Sequence, residues 1–142
     1  IWYKKFPWEF QHDVDIIDDK RITIFNNNRL RSQLNKKIKF NDLIIYNFEK
    51  DKTEYILKNK FEELKINTME EGLAEVLKNG SVFIEETSSG RIIILDKNGE
   101  KILEYINRAE NNKLYRLNWS RVIDLNIDLF NKNLKEKKCS DG

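Results

Sequence analysis

Cysteine and histidine occur once each in the 142 residues, as Cys139 and His12. A lone cysteine leaves no disulfide within the chain. One Cys with one His is also too few for a zinc site built on those residues, although their count does not exclude a carboxylate-bound metal. The glycines Gly72, Gly80, Gly90 and Gly99 stand singly as turn makers, so a phosphate-cradling loop is absent. No metal site and no cofactor is therefore expected. No apolar run approaches the roughly 18 residues of a membrane span. Excess charge of one sign is missing as well: 26 Lys and Arg face 24 Asp and Glu, a formal net charge of +2, which gives nucleic-acid binding little support. No secretory signal opens the chain, Ile1 is not an initiator methionine and Met69 is the only Met. A processed or truncated piece is expected, with a lost leader left open.

What is present is short apolar alternation bounded by turn residues, in a chain of 17.1 kDa, enough for one domain with a core. Four strands are predicted at Val14–Ile17, Arg21–Phe25, Asp42–Phe48 and Thr53–Leu57. The same order recurs at Ala74–Leu77, Ser81–Glu86, Arg91–Leu95 and Lys101–Ile106, with Asn-Gly or Ser-Gly pairs in the intervening turns. Two tandem four-stranded meanders predict an all-β chain of β-propeller blades, in units of about 12–58 and 73–107. Ile1–Lys5 reads as the last strand of a preceding blade, and Tyr115–Asp124 as a further strand. Ile127, Phe130 and Leu134 recur at helical spacing and predict a short C-terminal helix, so that a terminal strand and helix occupy about 113–137. Two blades cannot close a ring and would leave sheet edges unpaired. The chain is accordingly expected to be the C-terminal part of a larger propeller, or one of several chains that complete a ring. A small β-sandwich of the same strands is the rival fold. Thr68-Met69-Glu70-Glu71 also fits a helix-capping box leading into residues 72–77, though Gly72 weakens it.

His12 sits at the mouth of the first predicted strand, and Asn26-Asn27-Asn28 follows the second. Near pH 7 an ordinary imidazole is mostly neutral and competent to carry a transferred group covalently. Such transfer needs cations or amide donors around the travelling anion; Arg29, Arg31, Arg91, Arg108, Arg121 and the Asn27 amide are the candidates. Asp13 and Asp15 share one strand face, from which a carboxylate can orient the ring. The plain alternative is a loop histidine that only hydrogen-bonds. Other templates fail: none of the six serines lies in a Gly-x-Ser-x-Gly elbow, and adjacent Glu85 and Glu86 on a strand point to opposite faces. Trp2, Trp8, Trp119, Tyr3, Tyr105 and Tyr115 are read mainly as core between blades, with an aromatic acceptor site as the alternative.

The run from Gln11-His12-Asp13 through Phe25-Asn26-Asn27-Asn28 resembles the histidine-bearing blade of the bacterial arylsulfate sulfotransferase family, in which a Gln-His or His-Asp start leads through a strand pair to Phe-Asp-Asn-Gly. Residues 75–85, Gly90-Arg91-Ile92 and Asp96-Lys97-Asn98-Gly99 resemble its following blade. The resemblance implies a six-bladed propeller that moves a sulfuryl group from an aryl sulfate to a phenol through a sulfohistidine. It places His12 on the nucleophile and Asn27 on the turn asparagine, and implies a periplasmic or extracellular location. Arg91 and Arg121 are added as strand-end cations that would bind the substrate. The chain departs from the pattern at Asp13-Val14, where the family often has Thr-Ala, and at Asn26 and Asn28, which replace Asp and Gly. Alone, without the residues of earlier blades, the chain is expected to be inactive. A non-catalytic propeller that binds a ligand or protein is the second reading.

Overall fold

A computed structural model describes residues 1–29 and 39–123. The chain forms two four-stranded antiparallel sheets, each a simple meander. The first holds β1 (Gln11–Asp18), β2 (Arg21–Asn26), β3 (Asp42–Asn47) and β4 (Lys52–Ile56). The second holds β5 (Leu73–Val76), β6 (Val82–Glu86), β7 (Arg91–Leu95) and β8 (Lys101–Ile106). One short helix, α1 (Lys58–Glu63), links them. The eight strands fall where the alternation places them, and the all-β architecture is that of consecutive propeller blades without a closed ring.

Register explains how the sheets meet. Phe25 lies opposite Leu43, and both belong to the face turned toward the second sheet. Across from them, Ala74 pairs Ile84, which pairs Ile93, while Val76 pairs Val82, which pairs Leu95. Because side chains alternate along a strand, these residues share one face. All except the partly buried Val76 are fully or nearly fully buried, and together with Phe61 of α1 and Ile66 they form the main core. The two sheets touch chiefly along β1, β2 and β5, so their first strands lie side by side. The opposite face of the first sheet carries Ile22, Ile24 and Tyr46, covered by Trp8.

The ends differ from expectation. Ile1–Lys5 forms no strand. Instead Trp2 packs against Tyr46 and Phe48 with ring centroids 5.0 and 5.1 Å apart, Lys4 pairs with Asp51, and the Trp8 indole donates to the Lys4 carbonyl at 3.0 Å. Aromatic packing on the open face of the first sheet takes the place of pairing at an edge, and Pro7 has no amide to give a ladder. Residues 115–123 form no strand either, beyond a single bridge between Arg108 and Leu114; residue 124 lies outside the described residues. The Tyr115 amide is held by the Asn107 carbonyl, and Trp119 adopts a left-handed φ of 60° that interrupts any extended run. The helix expected from Ile127, Phe130 and Leu134 also lies outside the described residues. Thr68–Glu71 caps no helix: Gly72, at φ 82°, turns directly into β5.

A buried polar network closes the end of the sheets where β1 and β5 begin. Asn41 donates to the carbonyls of Asn27 and Thr68, both at 3.1 Å, and accepts the Thr68 amide at 2.7 Å. Asn28 donates to the Phe40 carbonyl and to Asp42, at 2.8 and 2.7 Å, and its φ of 57° suits asparagine. The Thr68 hydroxyl meets that of Ser88 at 3.0 Å, which carries the network onto the second sheet. A buried donor or acceptor left without a partner costs about 1–3 kcal/mol. Asn41→Ala strands the Thr68 amide and the Asn27 carbonyl, while the Thr68 carbonyl keeps the Asn27 side-chain donor, so it is expected to lower stability by about 3 kcal/mol in urea unfolding; an unchanged midpoint would contradict the network's role.

Candidate functional site

Paired residues define equivalent positions in the two sheets. Val14 pairs Ile24 as Ala74 pairs Ile84, and Asp13 pairs Phe25 as Leu73 pairs Glu85. By chain position Gly72 stands one residue before these pairs as His12 does, but a β-bulge between Gln11 and Asp13 takes His12 out of the ladder, so that Gln11 pairs Asn26. A residue with left-handed backbone precedes each entry: Phe10 at φ 55° and Glu71 at 59°. Trp119, at 60°, repeats that conformation just before Ser120 and Arg121. For residues of this bulk a positive φ is unfavourable, so surrounding contacts must hold it.

These entries converge on one small cleft, lined by His12, Glu71, Gly72, Leu73, Glu85, Asn118 and Trp119. His12 is exposed, and among the described residues no hydrogen bond engages its imidazole. Buried hydrogen bonds tie the rest of the lining together. Glu85, 1% exposed, accepts the Ser120 amide at 2.6 Å and the Thr87 hydroxyl at 3.0 Å. Thr87 in turn accepts the Gly72 amide at 3.0 Å, so one carboxylate and one hydroxyl fasten the entry to β5 and the Trp119–Arg121 segment beside the histidine. A Cβ on Gly72 would lie 2.4 Å from the Thr68 methyl and 2.9 Å from the Phe25 ring, which explains why the position is glycine.

The expected site residues separate. Arg121 lies by the cleft, its guanidinium carbon 5.3 Å from the Trp119 ring centroid and close enough to Asp13 and Asp15 to oppose the shift of both carboxyls. Asn27 stands behind the wall: its amide donates to the carbonyls of Thr68 and Glu71 at 3.0 and 2.8 Å, which commits both of its N–H groups. Arg91 lies apart. It pairs with Glu86, donates to the Leu64 carbonyl at 3.1 Å and reaches Glu104 at 3.4 Å. Of the other lining residues, Trp119 is read from sequence mainly as core with an aromatic acceptor site as the alternative, Glu85 is set aside as half of a carboxylate pair, and Glu71 is read only within a capping box.

Electrostatically the cleft is mixed. Burial pushes the Asp13 carboxyl above its ordinary 3.8, and the Asp15 charge adds to the rise, while the Ala74 amide and Arg121 pull it back. Asp15 is raised by burial against the same arginine. Among the described residues no group of three or more His, Cys, Asp or Glu side chains is arranged to hold a metal ion, and no helix is long and apolar enough to cross a membrane.

A family model described as Arylsulfotransferase (ASST) matches residues 2–108. No curated protein and no solved structure matches the chain.

Since both aspartates hold a proton more tightly folded than unfolded, the folded chain gains from them below the ordinary aspartate value. That advantage is lost as pH rises through their raised folded values. Asp13→Asn keeps an acceptor for the Ala74 amide and removes the buried charge. It is expected to leave neutral-pH stability equal or higher and to flatten the decline above pH 3.8; an unaltered pH profile of the unfolding free energy would contradict this.

Proposed function

The chain belongs to the arylsulfotransferase family, and from that membership we propose that His12 takes a sulfuryl group from an aryl sulfate and passes it to a phenol. One observation carries the reading: the only histidine of the chain is exposed, free of hydrogen bonds among the described residues, and set in a cleft where the first strands of the two sheets begin and the Asn118–Trp119 segment meets them.

In the first step an imidazole nitrogen attacks sulfur, the bond from sulfur to the aryl oxygen breaks, and the phenolate leaves with the electron pair. In the second, the oxygen of an acceptor phenol attacks the same sulfur, the S–N bond breaks and its electrons return to the ring, while the phenolic proton is released. Group transfer through a covalent intermediate of this kind gives ping-pong kinetics. Arg121 is the cation nearest the cleft among the expected site residues and offsets anionic charge on the sulfuryl oxygens. Asn27 supports the wall through the Glu71 carbonyl, and Arg91 fastens the loop between β6 and β7. In this reading the two sheets are consecutive blades of a propeller whose remaining blades, from a longer polypeptide or from other chains, supply further substrate contacts.

Carboxylates favour a second reading. Glu71 and Glu85 line the cleft with Asp13 and Asp15 close by, a poor setting for an anion unless cations from other blades face it. A propeller face that binds a ligand or protein without chemistry fits that charge.

The complete protein, given 4-nitrophenyl sulfate and a phenol, is expected to release nitrophenolate and to carry a sulfuryl adduct on His12 that mass spectrometry locates. His12→Ala abolishes both. Turnover retained by His12→Ala, or no turnover and no adduct in the parent, would reject the transfer reading; binding retained by His12→Ala without turnover in the parent would support the second.

A further inference from the structure

Trp119 is the one large aromatic side chain lining the His12 cleft, and three features set it apart from a core tryptophan. It is 61% exposed, whereas Trp8 is 7% exposed and fills the second apolar cluster. Its backbone is left-handed, a conformation that costs a bulky residue energy and that the next peptide group pays for: the Ser120 amide is anchored on the buried Glu85 carboxylate at 2.6 Å. The Arg121 guanidinium lies over its ring, and Arg121 also donates to the Ser120 carbonyl at 3.1 Å. The ring is thus held out of the core, on a fixed backbone, with a cation on its neighbour.

We propose that Trp119 is the platform on which the aromatic ring of the donor or acceptor stacks, and that it sets the preference for aryl over alkyl partners. The inference rests on the transfer reading for its substrate class. A flat apolar ring gains from offset stacking on an indole, whereas a short alkyl group offers little surface and no ring to stack. With Arg121 beside the indole, an aryl sulfate lying on Trp119 brings its charged end toward a guanidinium and its ring toward an aromatic face. Trp119 touches substrate in this arrangement but takes no part in bond making, so its effect is on affinity and selectivity.

The test uses the complete protein carrying His12→Ala, so that binding is read without turnover. Phenol is expected to shift the indole N–H resonance of Trp119, assigned by its loss in Trp119→Phe, and to leave those of Trp2 and Trp8 in place. Trp119→Leu is expected to weaken phenol binding about tenfold and Trp119→Phe only about twofold, with ethyl sulfate binding unchanged in both. An unmoved Trp119 resonance overturns the proposal, and so does equal loss of phenol and ethyl sulfate, which marks a merely structural role. Because these readouts need no transfer, a missing His12 adduct would reject the transfer reading while phenol binding at Trp119 still stood.

Discussion

Where strands end, backbone groups lose their ladder partners, and at the His12 end of this molecule they do so away from water. Asn26, Asn27, Asn28, Asn41, Thr68, Thr87, Glu85 and Glu86 answer that demand in one connected set. Asn26 accepts the Glu9 amide, Asn41 takes the Thr68 amide, Thr87 the Gly72 amide, Glu86 the Asn67 amide and Glu85 the Ser120 amide. Asn67, Thr68 and Gly72 lie on the crossing between the sheets, Glu9 on the approach to β1 and Ser120 on the segment after β8. The set therefore satisfies buried polar groups and also fixes where those entries lie. Apolar packing of Phe25 and Leu43 on Ala74 and Ile84 holds the sheets together, but it is non-directional; the hydrogen bonds supply the geometry.

Function follows from that geometry. His12 gains its setting because Gly72, which lines the same cleft, has no side chain and leaves room beside Glu71, Leu73 and Trp119. Glu85 acts twice, as a wall of the cleft and as the anchor of the segment that bears Trp119 and Arg121. The aspartates on β1 add negative charge that burial disfavours and Arg121 partly offsets, so the cleft is tuned by a few opposing charges rather than by a basic patch.

Much of the fold was legible because it depends on alternation. Ile22 and Ile24, Leu43 to Ile45, and Ile92 to Ile94 mark strands whatever their neighbours, and single glycines mark the turns. The helix α1 escaped notice because Lys58–Glu63 is six residues long with only Phe61 buried, too short for a period to show. Ile1–Lys5 and Tyr115–Ile123 look like strands by composition, yet tertiary contacts decide otherwise: stacking of Trp2 on Tyr46 in one case, the Glu85 anchor and a left-handed Trp119 in the other. His12 was visible as the only histidine. That Glu71, Glu85 and Trp119 join it was not, since they are distant in sequence and meet through the polar network, although the sequence marks Trp119 as an alternative aromatic acceptor residue. Arg91 drew attention as a strand-end cation, and a sequence cannot show that Glu86 and Glu104 already engage it.

Amide hydrogen exchange on the native protein tests the central claim, that side-chain acceptors rather than strand ladders fix the entries around His12. The amides of Thr68, Gly72 and Ser120 lie outside every strand, yet each donates to a buried side chain. They are predicted to exchange as slowly as those of Ile24 and Ile84 in the central strands. Exchange at the rate of the exposed turn at Lys97 and Asn98 would contradict the account.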